Sequence, residues 1–335
     1  MPPKPRVLAV NPRNPDRTVI EEAANVLRVG GLVAFPTETV YGLGADGTNP
    51  AALKKIFEAK GRPSTNPLIL HVSSPEMARL LVTHWPVNAQ KLADAFWPGP
   101  LSLVLPRSNL VPDLITAGES TVAIRMPQHP VALQLISRLE RPIAAPSANR
   151  SMSLSPTQAH HVVESLGAAV DLVLDAGPAT VGIESSVVDL TTPVPTLLRP
   201  GWLTPAMIQQ ATGIIIQAKD EAQAGQIARS PGQMLRHYAP ATPVSLIEPF
   251  ELPPTPENTA LLIIGHPNAQ QMPGPTLRRL MTSPTETARD LYAQLHEWDR
   301  LGLRQIYIVP PPVRPEWDAI LDRLNRAATP LGQAD

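Results

Sequence analysis

The stretch NPAALKKIFEAKGRPSTNPLILHV, residues 49–72, predicts a helix, a polar loop and a strand in close succession. Asn49 is a suitable helix cap, Pro50 fits the first helical position, and Gly61 fits the residue after the last turn. The segment NPLILHV then alternates its side chains between two faces, as a strand does. A helix followed this closely by a strand predicts an α/β unit.

The same mixture of helices and strands extends to both sides of this stretch. Short hydrophobic runs predict strands at 32–36, 101–106, 121–127, 141–146, 171–176, 185–190 and 195–200. Runs with a helical period predict helices at 17–30, 75–84, 88–96, 129–139 and 157–166. We therefore predict one large α/β domain over residues 1–212.

The composition changes after about residue 212. The segment QAKDEAQAGQIARSPGQMLRHYAPAT has no strong hydrophobic period, which predicts a linker over residues 213–242. Beyond it, the strand-like segments VSLIE, ALLIIG and QIYIVP alternate with two amphipathic helices. This alternation predicts a smaller α/β domain over residues 243–335, built on a parallel sheet.

The overall composition narrows the class of protein. Of the 335 residues, 43% are hydrophobic and 17% are charged, and the net charge is −1, so we expect no broad affinity for nucleic acid. The chain has no cysteine, which excludes disulfides and thiolate metal sites. No hydrophobic run approaches the roughly 20 residues that span a bilayer, and the start of the sequence lacks a signal-peptide pattern. We therefore expect a cytoplasmic protein with no membrane contact.

Lys60 and Arg62 are the first candidate site residues. At the end of a helix, two cations can simply interact with the helix dipole. Ser64, Thr65 and Asn66 follow them, and hydrogen-bond donors beside two cations are what a phosphate site requires. The sequence alone leaves both interpretations open.

Arg125 and His71 lie on predicted strands. Thr121 and Arg125 share one face of STVAIRMP, and an arginine among hydrophobic neighbours is costly to bury without a partner. Arg125 therefore forms either a structural ion pair or a clamp for a carboxylate or phosphate. His71 is either a hydrogen-bonded polar residue on a half-exposed face or part of a binding site.

The serine-rich segment APSANRSMSLSPTQ, residues 145–158, follows a predicted strand. Ser155 and Gln158 fit a capping box, with Pro156 at the first helical position. A capped helix start also attracts anions, and Ser147 lies at a strand end, where ligands gather in α/β proteins.

Ser185 and Arg199 are weaker candidates, at the start and the end of two further predicted strands. The chain contains no phosphate-binding loop of the G-x-x-x-x-G-K-[ST] type, no G-x-S-x-G motif and no H-E-x-x-H motif. Its Lys, Arg, Ser, Thr and Asn residues suit the binding of phosphate and carboxylate groups more than hydrolysis by paired acids.

Several segments, taken in order, resemble one family. They are FPTETVYGLGADG, KGRPSTNPLILHV, WPGPLSLVL, TVAIRMPQHP, IAAPSAN, SPT, GIESSVVDL, LLRPG and SPGQMLRHYAP. Their order is similar to that in the long form of the L-threonylcarbamoyladenylate synthases, which joins a YrdC-like domain, a linker and a C-terminal domain. The resemblance implies a strongly twisted, open mixed sheet with flanking helices, plus a smaller Rossmann-like three-layer α/β domain. It covers nearly the whole chain.

The resemblance also implies roles for individual residues. The positions that match threonine-binding ones are Thr39, His71, Arg125, Ala145 and Ser185. The positions that match ATP-binding ones are Lys60, Arg62, Asn66, Thr121, Ser147, Ser155, Arg199 and Tyr238. Lys60 and Arg62 would also be the catalytic pair, and the linker would act as a lid with Tyr238 near ATP.

The implied reaction makes threonylcarbamoyl-AMP and pyrophosphate from L-threonine, bicarbonate or CO2, and ATP. The product serves threonylcarbamoyladenosine formation at position 37 of tRNAs, with transient contact to a downstream threonylcarbamoyl-transfer complex. Mg²⁺ is expected with ATP, held mainly by phosphates and water rather than by protein residues. One departure from the family pattern is Met152, where the family often has glycine.

Two alternatives are weighed against this function. An RNA-binding module with the same fold would make no adenylate, and the near-zero net charge disfavours it. A carbamoyl-transfer enzyme of the hydrogenase-maturation type would be larger and would carry zinc-finger segments, which a chain without cysteine lacks.

Overall fold

The computed structural model describes residues 5–218, 237–248, 257–267, 275 and 277–329. These residues form two compact units. The first contains the described residues up to 151, together with 156–180 and 184–218. The second contains 152–155, 181–183 and the described residues from 237 onward. Within the described ranges, no helix is long and hydrophobic enough to cross a membrane.

The first unit contains eight described α-helices and eleven strands. The helices are α1 (Arg17–Arg28), α2 (Pro50–Lys60), α3 (Pro75–Leu80), α4 (Val87–Phe96), α5 (Asp113–Thr116), α6 (Pro130–Leu139), α7 (Ala159–Leu166) and α8 (Pro205–Thr212). The strands are β1 (Arg6–Ala9), β2 (Val33–Phe35), β3 (Gly42–Asp46), β4 (Ile69–His71), β5 (Leu101–Pro106), β6 (Thr121–Arg125), β7 (Ile143–Ala144), β8 (Leu172–Asp175), β9 (Ser186–Asp189), β10 (Thr196–Arg199) and β11 (Gln217–Ala218).

One large sheet joins all eleven strands in the order β1-β8-β2-β3-β7-β4-β6-β5-β9-β10-β11. Its pairs are both parallel, as between β4 and β6, and antiparallel, as between β5 and β6. Residues of β2, β3 and β4 are buried, because helices cover them with hydrophobic side chains. The predicted mixed sheet with flanking helices is therefore confirmed.

Helix α2 begins and ends where the sequence predicts. The side chain of Asn49 accepts hydrogen bonds from the main-chain N–H groups of Ala51 and Ala52, and Pro50 is the first helical residue. Gly61 ends the helix at a φ of +59°, a left-handed conformation that glycine adopts without a steric penalty. The chain therefore reverses at a defined point, directly between Lys60 and Arg62.

The second unit is built on a smaller sheet. Its strands are β12 (Val244–Leu246), β13 (Thr259–Ile264), β14 (Leu277–Met281) and β15 (Gln305–Val309), and its α-helices are α9 (Pro284–Asp299) and α10 (Asp318–Ala328). The order is β12-β15-β13-β14, and every pair is parallel, as predicted. Strand β14 was not predicted, because its sequence LRRLM places two arginines in the middle of a strand at the sheet edge.

The serine-rich stretch 152–155 belongs to the second unit. The main-chain N–H of Ala239 donates to the carbonyl of Met152 at 3.0 Å, and Nε2 of His296 donates to the carbonyl of Ser155 at 3.1 Å. Met152 has a φ of +67°, a left-handed main-chain conformation that glycine adopts more readily than other residues.

The predicted capping box at Ser155 is wrong. Helix α7 begins at Ala159, and its cap residue is Gln158, whose side chain makes no capping hydrogen bond. The four-residue pattern matched locally, but hydrogen bonds of the second unit hold Ser155 outside the helix. Tertiary contacts have overridden a local signal here.

The predicted linker lies partly outside the described residues, which omit 219–236. Its first part, Gln217–Ala218, is strand β11, which pairs with β10 in parallel register. Its last part, from residue 237, belongs to the second unit. The proposed lid over 213–242 stays a prediction.

Candidate functional site

Neighbouring central strands place His71 and Arg125 side by side. His71 is in register with Arg125 across the parallel pair β4 and β6, and Ser102 of β5 is in register with Arg125 on the other side. All three residues are nearly or completely buried. Polar side chains at these positions therefore face each other in a dry environment, where their interactions are stronger than in water.

The guanidinium of Arg125 has three partners in the first unit. Its Nη2 lies 2.7 Å from Oε1 of Glu38, and both side chains are only 5% exposed. Its Nη1 donates to the hydroxyl of Thr39 at 2.8 Å, and its Nε donates to the carbonyl of Gly99 at 3.2 Å. The structural ion pair is therefore present. Glu38 and Thr39, which both lie in the loop between β2 and β3, fix the plane of the guanidinium group.

Thr37 stabilises that loop from within. Its hydroxyl donates to the carbonyl of Val40 at 2.6 Å and lies 2.8 Å from the hydroxyl of Thr39. The second carboxylate oxygen of Glu38 accepts the main-chain N–H of Gln128 at 3.1 Å. We use the name Arg125 corner for Glu38, Thr39, His71 and Arg125.

His71 is neutral in the folded protein at neutral pH. Burial, and secondarily the nearby charge of Arg125, lower the pKa of its imidazole to about 3. The ring packs edge-on against Phe35, with 6.2 Å between ring centres. A neutral imidazole in this position can donate or accept a hydrogen bond without adding charge to the Arg125 corner.

Ser185 and Arg199 are brought together next to this corner. Nη2 of Arg199 donates to both the carbonyl oxygen and the hydroxyl of Ser185, at 2.9 and 3.1 Å. The hydroxyls of Ser185 and Ser102 are 2.8 Å apart. Gly201 packs directly against the main chain of Ser186. A Cβ at Gly201 would be 2.3 Å from the main-chain nitrogen of Ser186, so the chain needs glycine at that point.

Lys60 reaches the serine-rich loop from the last turn of α2. Its ammonium donates to the carbonyl of Ser147 at 2.5 Å and to the carbonyl of Asn149, and the side-chain oxygen of Asn149 is 3.5 Å away. Burial, and secondarily the charge of Arg62, hold the pKa of Lys60 well below its usual value. Among the described residues, no carboxylate pairs with this ammonium. We use the name Lys60 corner for Lys60, Ser147 and Asn149.

Arg62 and Asn66 lie together just beyond the Gly61 turn. Nε of Arg62 donates to the carbonyl of Asn66 at 3.2 Å, and Nη2 donates to the carbonyl of Pro67 at 2.9 Å. Both residues are buried, at 7% and 6% exposure. The loop that the sequence predicts as polar therefore folds around the guanidinium of Arg62.

Three further candidates occupy strand ends of the large sheet. Thr121 is the first residue of β6 and is half-buried. The main-chain N–H of Ala145, just after β7, donates to the carbonyl of Ile69 at 3.1 Å. Ser147 forms an isolated antiparallel bridge with Gly42. The main chain of 145–147 is therefore anchored to two neighbouring strands.

Ser155 and Tyr238 belong to the second unit. Tyr238 is 1% exposed and has a φ of +59°. Its ring packs against His237, with 4.0 Å between ring centres, and the guanidinium carbon of Arg323 lies 5.2 Å from the ring centre. Aromatic and cation–π contacts of this kind stabilise an otherwise unfavourable main-chain conformation.

Sequence reasoning missed Glu38 and Ser102. A single glutamate in FPTETVYG gives no local signal, since its partner Arg125 is far away in sequence. Ser102 looked like an ordinary position in LSLVLP. Only the pairing of strands reveals that Ser102 contacts Ser185 and lies opposite Arg125.

Comparisons with known proteins agree with this architecture. Residues 25–201 match the Sua5/YciO/YrdC family, described as "Telomere recombination". Residues 203–329 match the family described as "Threonylcarbamoyl-AMP synthase, C-terminal domain". The first match defines a class of α/β proteins, and the second restricts it to members with the additional domain. The chain belongs to the threonylcarbamoyl-AMP synthase family.

Individual relatives support this conclusion over most of the chain. The chain is 51% identical to a threonylcarbamoyl-AMP synthase of Pyrococcus abyssi over 230 residues, and these aligned residues are 68% of each protein. It is 35% identical to one of Schizosaccharomyces pombe, over 95% of this chain and 90% of the relative. The crystal structure of P. abyssi Sua5 complexed with L-threonine superposes with a TM-score of 0.87 and 39% identity, over 96% of this chain and 97% of that one.

Proposed function

We propose that this chain synthesises L-threonylcarbamoyladenylate and pyrophosphate from L-threonine, bicarbonate or CO2, and ATP. The observation that carries the proposal is the match, over 96% of the chain, to a structure complexed with L-threonine. The product would supply threonylcarbamoyladenosine at position 37 of tRNAs, through transient contact with a downstream transfer complex. The cytoplasm, where ATP and tRNA are available, is the proposed location.

The Arg125 corner is the proposed threonine site. Arg125 would bind the substrate carboxylate, because a planar guanidinium can donate two parallel hydrogen bonds to it. Thr39, His71, Ser185 and the main chain of Ala145 would supply the remaining hydrogen bonds. In support, the contacts of Arg125 with Glu38 and Thr39 fix its orientation before any ligand arrives.

The proposed ATP site uses the Lys60 corner. Its remaining proposed members are Arg62, Asn66, Thr121, Ser155, Arg199 and Tyr238. Lys60 and Arg62 would stabilise the negative charge that develops at the phosphates during the reaction. A buried ammonium that is bonded only to uncharged oxygens among the described residues is suited to a polyphosphate.

The proposed reaction has two steps. The threonine amine first adds to CO2 and loses a proton, which gives a carbamate. A carbamate oxygen then forms a bond to the α-phosphorus of ATP, and pyrophosphate leaves with the electron pair of the broken P–O bond. No covalent bond to the protein is formed, so the residues contribute positioning and charge stabilisation.

Mg²⁺ is part of the same proposal, as the ion that accompanies ATP. The described residues contain no group of three or more His, Asp or Glu side chains placed to hold a metal ion. The proposal therefore assigns phosphate oxygens and water as its ligands, and the ion would neutralise part of the phosphate charge.

The test is pyrophosphate release by the purified full-length chain. We expect release that requires L-threonine and bicarbonate together, and a product with the mass of threonylcarbamoyl-AMP. Omission of either substrate is the control. Release that proceeds equally without them, or binding of tRNA without any pyrophosphate release, would contradict the proposal, and the second result would favour the RNA-binding alternative.

A further inference from the structure

Glu38 is a buried carboxylate that the proposed reaction does not use. It is 4% exposed and lies in the loop between β2 and β3. One of its oxygens is 2.7 Å from Nη2 of Arg125, and the other accepts the main-chain N–H of Gln128 at 3.1 Å. Oε1 is therefore in ion-pair contact and Oε2 accepts a hydrogen bond, so the position of the charge is constrained on two sides.

The Glu38–Arg125 pair carries no net charge. The two histidines that interact electrostatically with the pair do not change this balance. Burial lowers the pKa of His71, which senses Arg125, and burial also lowers the pKa of His129, which senses Glu38. Both imidazoles are therefore neutral at neutral pH, and the pair with its histidines is neutral as a whole.

Within the Arg125 corner, this balance affects which ligands bind. The charge of Arg199, whose Nη2 donates to Ser185 beside the corner, is the same in the wild type and in variants of Glu38. A ligand with a carboxylate and no cation would bring an uncompensated negative charge to a pair that is already neutral and buried, which is unfavourable. An α-amino acid is a zwitterion, and its ammonium brings the compensating charge with it. In such a complex, the two carboxylates face the guanidinium and the ammonium, and the total charge remains zero.

We propose that Glu38 is a specificity-determining residue, which makes this site select a zwitterionic amino acid over a ligand that has only a carboxylate. The inference rests on the proposed function, since it concerns the same threonine site. Without the carboxylate of Glu38, Arg125 would keep its full positive charge, and a simple anion would then be favoured.

The experiment compares two ligands in the full-length chain. One is L-threonine, and the other is 2,3-dihydroxybutanoate, in which a hydroxyl replaces the ammonium. Calorimetry gives a dissociation constant for each, in the wild type and in Glu38→Gln. The wild type should bind L-threonine more tightly, and Glu38→Gln should shift the ratio of the two constants toward dihydroxybutanoate by about tenfold or more.

Glu38→Asp is the matched variant, because it shortens the side chain and keeps the charge. It should preserve the preference for L-threonine, even if both ligands bind more weakly. The ratio of the two dissociation constants within one variant is insensitive to a general loss of stability, because such a loss would weaken the binding of both ligands alike. An equal shift of the ratio in Glu38→Asp and Glu38→Gln would overturn the role of charge.

The wild type provides a test that needs no variant. If it binds dihydroxybutanoate as tightly as L-threonine, the inference is wrong, whether or not Glu38→Gln folds. Failure of the proposed function is a different result, since a wild type that releases no pyrophosphate with L-threonine and bicarbonate would contradict that proposal alone. An active wild type with an unchanged ratio in Glu38→Gln would overturn only the role of Glu38.

Discussion

The Arg125 corner and the Lys60 corner each bury one cation, but they stabilise it differently. Arg125 faces the carboxylate of Glu38 at 2.7 Å. Lys60 faces the carbonyl of Ser147 at 2.5 Å and the oxygens of Asn149, which carry dipoles and no net charge. Both side chains are almost completely buried, at 4% and 3% exposure. Burial alone therefore does not distinguish them.

The difference indicates which kind of ligand each corner suits. A cation that is already paired with a carboxylate adds no net charge, so it can orient a ligand without attracting anions in general. A cation held by dipoles keeps its excess charge and is stabilised when an anion arrives. The first arrangement suits an amino acid, and the second suits a phosphate chain.

The largest expected effect concerns the ion pair of the Arg125 corner. Arg125→Ala leaves Glu38 buried without its cation and should lower the free energy of unfolding by about 3–5 kcal/mol. The double variant Arg125→Ala/Glu38→Ala should lose less unfolding free energy than the two single variants lose together, because no unpaired charge remains. Urea unfolding of all four proteins measures this coupling.

The exposed pair Arg6 and Glu22 is the control for that cycle. Its side chains are 65% and 39% exposed, so the same double-mutant cycle should give a coupling below about 1 kcal/mol. Additive losses of unfolding free energy at Arg125 and Glu38 would show that the two charges do not interact.

The next effect is the pH dependence that His71 contributes. Its pKa falls from 6.5 in the unfolded chain to about 3 in the folded protein, so the unfolded chain binds the proton first. Its contribution to stability is complete above pH 6.5 and is lost as the pH falls toward 3. Between neutral pH and about pH 5, the loss should be about 2 kcal/mol.

The variant His71→Gln isolates this contribution, because glutamine does not titrate. Unfolding free energies measured at both pH values should fall less steeply in the variant than in the wild type. Parallel slopes would mean that His71 has the same pKa in both states and that it is not desolvated in the Arg125 corner.

A smaller effect is expected at Lys60, and there stability and binding should separate. Lys60→Met removes a buried charge as well as its hydrogen bonds, so the unfolding free energy should change by no more than about 1 kcal/mol. Nucleotide binding should nevertheless weaken by about tenfold or more, because a charge-assisted contact is lost. Calorimetric titration with an ATP analogue and a denaturation curve measure the two quantities.

Lys54→Met is the matched control, since Lys54 is an exposed lysine on the same helix α2. Neither its stability nor its affinity for the nucleotide should change appreciably. If Lys60→Met were destabilised as strongly as Arg125→Ala, the proposed contrast between the two corners would fail.

The smallest effect is expected at Met152. Its φ of +67° is unfavourable for a residue with a Cβ, so Met152→Gly should stabilise the protein by up to about 1 kcal/mol. The neighbouring Ser151→Gly, at a residue without a positive φ, should be destabilising instead. Thermal unfolding compares the two, and equal shifts of the midpoint would exclude relief of main-chain strain.

Local signals were sufficient for much of the fold. Helix α2 carries its cap, its first-turn proline and its terminal glycine within one short segment, and all three do what the sequence predicts. Strand β5 coincides with the predicted 101–106, because a hydrophobic run in a central strand needs no partner to be recognised. The small parallel sheet followed from the same alternation of strands and helices.

Contacts between residues that are far apart in the sequence could not be predicted in the same way. Strand β3 was not predicted, since GLGAD contains residues with low strand propensity and is stabilised by pairing with β2 and β7. Ser155 matched a capping box but is held by His296, 141 residues later. Lys60, Arg62, Arg125 and Ser185 were identified as candidates, yet their protein partners, above all Glu38, became visible only in the folded chain.

The placement of residues 152–155 in the second unit has a consequence for synthesis on the ribosome. The carbonyl of Ser155 receives its hydrogen bond from His296, which is translated 141 residues later, or roughly 7–28 s at typical elongation rates. The described residues of the first unit, which include Ser185, strand β8 and both the Arg125 and Lys60 corners, all precede His296 in the sequence and can fold during that delay. The nascent chain therefore assembles its proposed threonine site first, and the stretch that carries Ser155 acquires this main-chain partner only after α9 has emerged.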